Sequence, residues 1–106
     1  MDKKYRTFRE FYPFYLSQHA HPVCRSLHFV GSGVALAMLA AALSTGNAWW
    51  LAGVPIAGYS FAWVGHFFFE HNRPATFTYP VFSLAGDWLM FYQMLTGRIP
   101  FRGALR

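Results

Sequence analysis

The segment GHFFFEHNRP, residues 65 to 74, places two histidines, a glutamate and an arginine at the end of an apolar run that begins at Ala48. A polar group moved into hydrocarbon without a partner costs several kcal/mol, so ionisable residues at the edge of such a run indicate a functional site. On a regular α-helix, His66 and Glu70 lie about 40° apart around the axis, whereas His71 lies about 140° from His66. The spacing predicts that His66 and Glu70 form a pair and that His71 stands apart from it.

The composition indicates a single membrane domain, residues 1–106. Hydrophobic residues make up 55% of the chain and charged residues 12%, whereas a typical soluble domain is about 25% charged. The 9 basic residues lie at the chain ends and in one loop rather than along one helical face, which argues against a nucleic-acid partner. A single cysteine, Cys24, excludes an intramolecular disulfide.

Local signals predict an all-α fold with four helices. Thr7 and Glu10 have the spacing of a capping box, after which Pro13 either kinks the first helix or opens a new one. Two apolar helices follow, separated by a turn in which Gly46 can take the left-handed conformation. The predicted helices are a short one ending near Gln18, then Val23 to Leu43, Ala48 to His71, and about Tyr79 to Leu95. We expect a small integral membrane helical bundle: a central transmembrane hairpin, with N-terminal and C-terminal helices that are interfacial, re-entrant or spanning.

The charge distribution predicts the orientation of the hairpin. If only the two central helices span, all the basic residues from Lys3 to Arg106 fall on one side, which the positive-inside rule assigns to the cytoplasm. Both termini are then cytoplasmic, in a bacterial inner membrane or, in a eukaryote, the endoplasmic reticulum. Four spans are a less consistent alternative, and three spans divide the basic residues between the two faces.

Counting along the hairpin brings histidines to one depth. At 1.5 Å per residue, His28 lies about 26 Å and His66 about 30 Å from the turn, and His19 precedes the first of these helices. Histidines with one carboxylate and open positions are the usual frame of a non-haem Fe(II) site, and bundles build such sites from facing helices. The predicted metal ligands are therefore His19, His28, His66 and Glu70.

Other polar residues near this depth are candidates for substrate or proton handling. Asp87 is predicted to be a metal ligand, an acceptor that orients a ligand histidine, or the ion-pair partner of Arg25 or Arg73. With Glu70, it is a candidate catalytic carboxylate. Arg73 can hold a substrate carboxylate bidentately or anchor the membrane edge, and Arg25 is a second candidate for substrate binding.

Three residues are interpreted as bystanders. His21 is predicted to cap the helix that Pro22 begins. His71 is predicted to be a solvated helix end, and Cys24 a small apolar residue.

Several segments together resemble the Mpo1-like family, formerly DUF962. They are FYLSQH at 14–19, LHFVG at 27–31, GHFFFE at 65–70, NRPATF at 72–77, and residues 83–91 around Asp87. The resemblance covers nearly the whole chain, and the chain is similar to the compact bacterial-type members of the family. It implies a multi-pass membrane protein and an Fe(II)-dependent dioxygenase that shortens 2-hydroxy fatty acids by one carbon in α-oxidation. It also implies that His19, His28 and His66 bind the iron, with Glu70 alongside.

The residues are compatible with this chemistry. A 2-hydroxy acid can chelate iron through its hydroxyl and carboxylate, leave a position for O2, and extend its alkyl tail into the bilayer beside Phe67, Phe68 and Phe69. The alternatives are a non-catalytic membrane scaffold, a haem-binding subunit clamped by His28 and His66, or a soluble helical bundle.

Overall fold

The computed structural model describes residues 4–102, in which helices are joined by turns and loops and no strand occurs. The helices are α1 (Phe8–Ser17), α2 (Pro22–Thr45), α3 (Trp49–Val64) and α4 (Pro80–Leu95), with a π turn (Gly65–Glu70) continuing α3 and a 3-10 turn (Ala75–Phe77) before α4. The predicted all-α class and the four helices are confirmed for these residues. Lys3 and Arg106, which entered the prediction of orientation, lie outside the described residues.

The helix ends follow the local signals in the sequence. The Thr7 hydroxyl accepts from the Glu10 backbone N–H while the Glu10 carboxylate accepts from the Thr7 N–H, so the predicted capping box is present. Pro13 lies inside α1 without ending it. The His21 side chain accepts a backbone hydrogen bond at the start of α2, as predicted, and Gly46 ends α2 at a φ of 71°. These ends depend on contacts between near neighbours in the chain.

Small residues set the closest approach of α2 to α3 and the π turn. A Cβ built on Gly31 would lie 2.9 Å from the Cβ of Phe61. One built on Gly65 would lie 2.9 Å from the Sγ and 3.0 Å from the Cα of Cys24. Because real Cβ atoms do not approach so closely, glycine at these two positions lets the helices pack with their backbones near one another.

An aromatic core lies between α1 and α4. Its buried members are Phe11, Tyr15, Tyr79, Met90, Met94 and Ile99. Gly86 of α4 packs against the Tyr15 ring, where an added Cβ would lie 3.0 Å from a ring carbon. The apolar face of α1, expected to lie in the headgroup region, thus packs partly on α4.

Among the described helices, α2 alone is long and apolar enough to cross a bilayer. Its Val30, Leu36, Leu39 and Leu43 side chains are exposed. By contrast, α3 has 16 residues, fewer than the roughly 20 that a spanning helix needs, and the π turn extends its helical path by 6 residues. By length and composition, one described helix is a candidate membrane span; the predicted multi-pass bundle and its orientation stay predictions.

The predicted helix from Ala48 to His71 is not regular to its end. Over Gly65–Glu70 the backbone is π-helical, and the His71 N–H bonds to the His66 carbonyl. His71 itself is left-handed, with a φ of 59°, and it is exposed. The regular spacing of about 100° per residue therefore does not hold beyond Gly65, in a type of turn that is frequent at functional sites.

Candidate metal centre

Three imidazoles and one thiol meet where the hairpin joins α1. They belong to His19, which precedes α2; to Cys24 and His28, one turn apart on α2; and to His66 in the π turn. Their potential ligand atoms all lie within 4.8 Å of one another, and all four residues are buried. The Nε2 atoms of His19 and His28 are 3.0 Å apart. The predicted convergence of the three histidines is confirmed, and Cys24, interpreted as an apolar filler, lies beside them.

Each of the three imidazoles is held through its Nδ1. The acceptors are Tyr15 O, 2.6 Å from His19 Nδ1, Cys24 O, 2.8 Å from His28 Nδ1, and Asn72 Oδ1, 2.7 Å from His66 Nδ1. Carbonyl oxygens only accept, so each Nδ1 is the donor and, in the neutral ring, Nε2 carries the lone pair. Such outer hydrogen bonds set the tautomer and orientation of metal-bound histidines.

Hydrogen bonds to Gln18 hold the side chain of Asn72 in one orientation. Its Nδ2 donates to Gln18 O at 3.3 Å and to Gln18 Oε1 at 3.0 Å. Because both of these atoms are acceptors, the amide is oriented with Oδ1 toward His66. The end of α1 therefore determines the position of the His66 ring through Asn72.

The donor set fits a metal ion. Two nitrogen lone pairs 3.0 Å apart repel unless a cation or a proton lies between them. Burial, and after it the nearby His28 and His66, lower the pKa of His19 well below its usual range, which disfavours the proton. Because histidine nitrogens bind metal ions at about 2.0–2.1 Å, the two atoms are close enough together that both would contact one ion. Imidazoles suit iron, zinc, copper and nickel.

Glu70 is not part of this cluster. Its Oε2 accepts from the backbone N–H of His21, whereas the His66 ring bonds to Asn72. The structure thus gives each member of the expected His66–Glu70 pair another partner. Because the π turn departs from the regular helix, the carboxylate reaches the start of α2, where it satisfies a backbone donor.

Asp87 adjoins the cluster through Tyr15. Its carboxylate accepts from the Tyr15 hydroxyl, and the Tyr15 ring stacks on His19 with centroids 4.1 Å apart. Burial raises the pKa of Asp87 to about 6. Asp87 is thus connected to His19 through one intervening side chain, and its role as ligand, histidine-orienting acceptor or ion-pair partner stays a prediction.

Sequence reasoning missed Ser83. Its side chain is 2% exposed, and among the described residues its Oγ has no hydrogen-bond partner. It lines a small cavity together with His19, His28 and His66. A buried hydroxyl without a partner costs about 1–3 kcal/mol, so this atom indicates a place for a polar ligand. A serine in an apolar helix carries no pattern that would have singled it out.

The two arginines predicted to bind substrate lie outside the cluster. Arg25 is fully buried and donates to the carbonyls of His19 at 3.1 Å, Ala20 at 2.7 Å and Pro100 at 3.2 Å. It therefore holds the segment before α2 and the segment after α4 together. Arg73 is exposed, with its guanidinium 5.0 Å from the centre of the Phe77 ring. Substrate binding by either residue stays a prediction.

Comparison with known proteins gives a match to a protein family. A family model described as 2-hydroxy-palmitic acid dioxygenase Mpo1-like matches residues 5–99. No curated protein and no solved structure matches the chain. The matched range includes His19, His28 and His66 and spans nearly the whole sequence. The chain therefore belongs to the 2-hydroxy-palmitic acid dioxygenase Mpo1-like family.

Proposed function

We propose that this protein is an Fe(II)-dependent dioxygenase that shortens 2-hydroxy fatty acids by one carbon. The observation that carries the proposal is the buried cluster of His19, His28 and His66, in which each Nδ1 is anchored and the potential ligand atoms lie within 4.8 Å of one another. The family description, a 2-hydroxy-palmitic acid dioxygenase, supports the substrate class. When bound there, iron supplies O2 activation and a template for the substrate.

The surrounding residues have distinct roles in this proposal. Asp87, with a pKa of about 6, exchanges a proton near neutral pH and orients Tyr15 against His19. The unpartnered Ser83 hydroxyl donates to a polar group of the substrate. Glu70 acts as a positioning residue, because its bond to His21 fixes the start of the helix that carries His28.

We also propose that α2, α3 and the π turn insert into the bilayer as a hairpin, with the cluster at the cytoplasmic edge. The turn between α2 and α3 carries no charge. Arg25 bonds to Pro100, which supports a common side for Arg25, Arg98 and Arg102. Cysteines introduced at Thr45 and at Arg102 should be labelled from opposite sides of sealed vesicles. Labelling of both from one side would contradict the hairpin.

The cluster geometry favours a single ion over the haem alternative. The His28 and His66 rings are perpendicular, with centroids 4.9 Å apart, and His19 lies against both. Axial histidines of a haem lie on opposite faces of the macrocycle. Three imidazoles packed this closely leave no room between them for that ring.

Metal analysis and oxygen uptake test the proposed reaction. Protein purified anaerobically and loaded with Fe(II) should retain iron and consume O2 with 2-hydroxyhexadecanoate. His66→Ala should lose both properties, because one of three converging nitrogens is removed. His71→Gly is the matched control, since His71 is exposed and its φ of 59° suits glycine. Absence of both iron and uptake from the loaded wild-type protein would refute the proposal.

A further inference from the structure

A second cavity begins where the metal cluster ends. Its volume is about 180 Å³, and it lies between α2, α3 and α4 with mainly apolar walls. His28 and Asp87 line it, and both also line the small cavity at the cluster. The two spaces are therefore neighbours that share polar residues.

The cavity follows the hairpin away from the cluster. On α2 its lining extends from His28 to Ala35, and on α3 from Ala62 to Val54. At 1.5 Å per residue, each helix carries the lining about 10 Å from the cluster toward the α2–α3 turn. An amphipathic molecule with its polar end at the histidines would thus find apolar walls along its length.

Gly58, in the middle of α3, borders this cavity. A Cβ built on Gly58 meets no atom within 4 Å, whereas Cβ atoms on Gly31 and Gly65 would meet neighbours at 2.9 Å. Glycine inside a helix costs about 1 kcal/mol relative to alanine, and neither helix packing nor a positive φ requires it at position 58. Gly58 lines the cavity, and the open space in front of it belongs to the cavity.

We propose that this cavity binds the alkyl chain of the 2-hydroxy acid and that Gly58 is a specificity-determining residue for long chains. The inference rests on the proposed function for the identity of the acid. It differs from the sequence-based expectation that the tail lies beside Phe67, Phe68 and Phe69, whose side chains are exposed on the outside of the π turn. The carboxyl end then lies at His28 and Asp87, and the tail follows α2 and α3.

Chain-length dependence of turnover tests the role of Gly58. Gly58→Leu should raise the KM for 2-hydroxyhexadecanoate about tenfold or more, because its side chain displaces methylenes from apolar walls. The kcat and KM for 2-hydroxybutanoate, whose tail stops short of Gly58, should stay unchanged, as should iron content. Gly33→Leu is the matched control, since a Cβ on Gly33 also meets no atom within 4 Å and Gly33 does not line the cavity.

Direct binding separates this inference from the proposed reaction. A long-chain fatty acid brominated along its tail should quench the fluorescence of Trp88, which lines the cavity. This quenching should disappear in Trp88→Phe and in Gly58→Leu. It should persist in Gly33→Leu. Such quenching without turnover of any 2-hydroxy acid would refute the reaction and retain the cavity assignment. Turnover with equal effects of Gly58→Leu on short and long acids, or equal effects of the two leucine variants, would overturn the assignment. If Gly58→Leu does not fold, Gly58→Ala should raise the KM for 2-hydroxyhexadecanoate by a smaller factor and leave the KM for 2-hydroxybutanoate unchanged. Equal KM values for wild type and Gly58→Ala with the long acid would then overturn the assignment.

Discussion

Replacing Asn72 with alanine should weaken metal binding although Asn72 is no metal ligand. The substitution removes the acceptor 2.7 Å from His66 Nδ1 and the two hydrogen bonds that Asn72 donates to Gln18. The His66 ring then loses the contact that holds its tautomer with the lone pair on Nε2.

The expected size of the effect follows from this geometry. Loss of an outer hydrogen bond to a ligand histidine typically lowers metal affinity about 10- to 100-fold, which corresponds to roughly 1.4–2.7 kcal/mol. The three lost hydrogen bonds should also lower the free energy of unfolding, by about 0.5–1.5 kcal/mol for each. Metal affinity and stability therefore need separate measurements.

Titration of the purified apo-protein in detergent with Co(II), a spectroscopic probe, gives the affinity, and thermal unfolding without metal gives the stability. Asn72→Asp is the informative control, because it keeps an acceptor oxygen for His66 while losing the donors to Gln18. We expect near wild-type affinity for Asn72→Asp and weakened binding for Asn72→Ala. Equal losses in both variants would show that packing at position 72, rather than the hydrogen bond to His66, supports the site.

Two further substitutions test the polar residues beside the cluster. Burial raises the pKa of Asp87 from 3.8 to about 6, so the folded protein holds this proton more tightly than the unfolded chain does. The resulting contribution to the free energy of unfolding is fully present below pH 3.8 and is lost as the pH rises through 6. Asp87→Asn should therefore raise the Tm at pH 7.5 relative to wild type while lowering oxygen uptake, and a lower Tm at that pH would contradict the assigned burial cost. Ser83→Ala removes a buried hydroxyl that has no partner among the described residues, so the Tm should stay the same or rise. The KM for the 2-hydroxy acid should increase, because the substrate loses a hydrogen-bond donor. A lower Tm with an unchanged KM would show that Ser83 serves the fold alone.

The sequence alone determined the four helices, the start of α1 and both ends of α2. Capping by Thr7 and Glu10, the start of α2 after His21, and the left-handed Gly46 all arise from contacts within a few residues, so they can be inferred from local spacing. The convergence of His28 and His66 could be predicted for a related reason. A helix rises by a constant 1.5 Å per residue, so a short turn between two helices determines which residues lie level.

Only the tertiary structure decided which side chains complete the site. The prediction for Glu70 assumed a regular helix, but the π turn and the left-handed His71 end that regularity, and Glu70 bonds to the start of α2 instead. Asn72 contacts His66, and Ser83 lines the cavity beside the histidines, because a loop and a separate helix fold back onto the hairpin. Such contacts join residues far apart in sequence, and the direction of a chain after an irregular turn depends on what it packs against rather than on its own spacing.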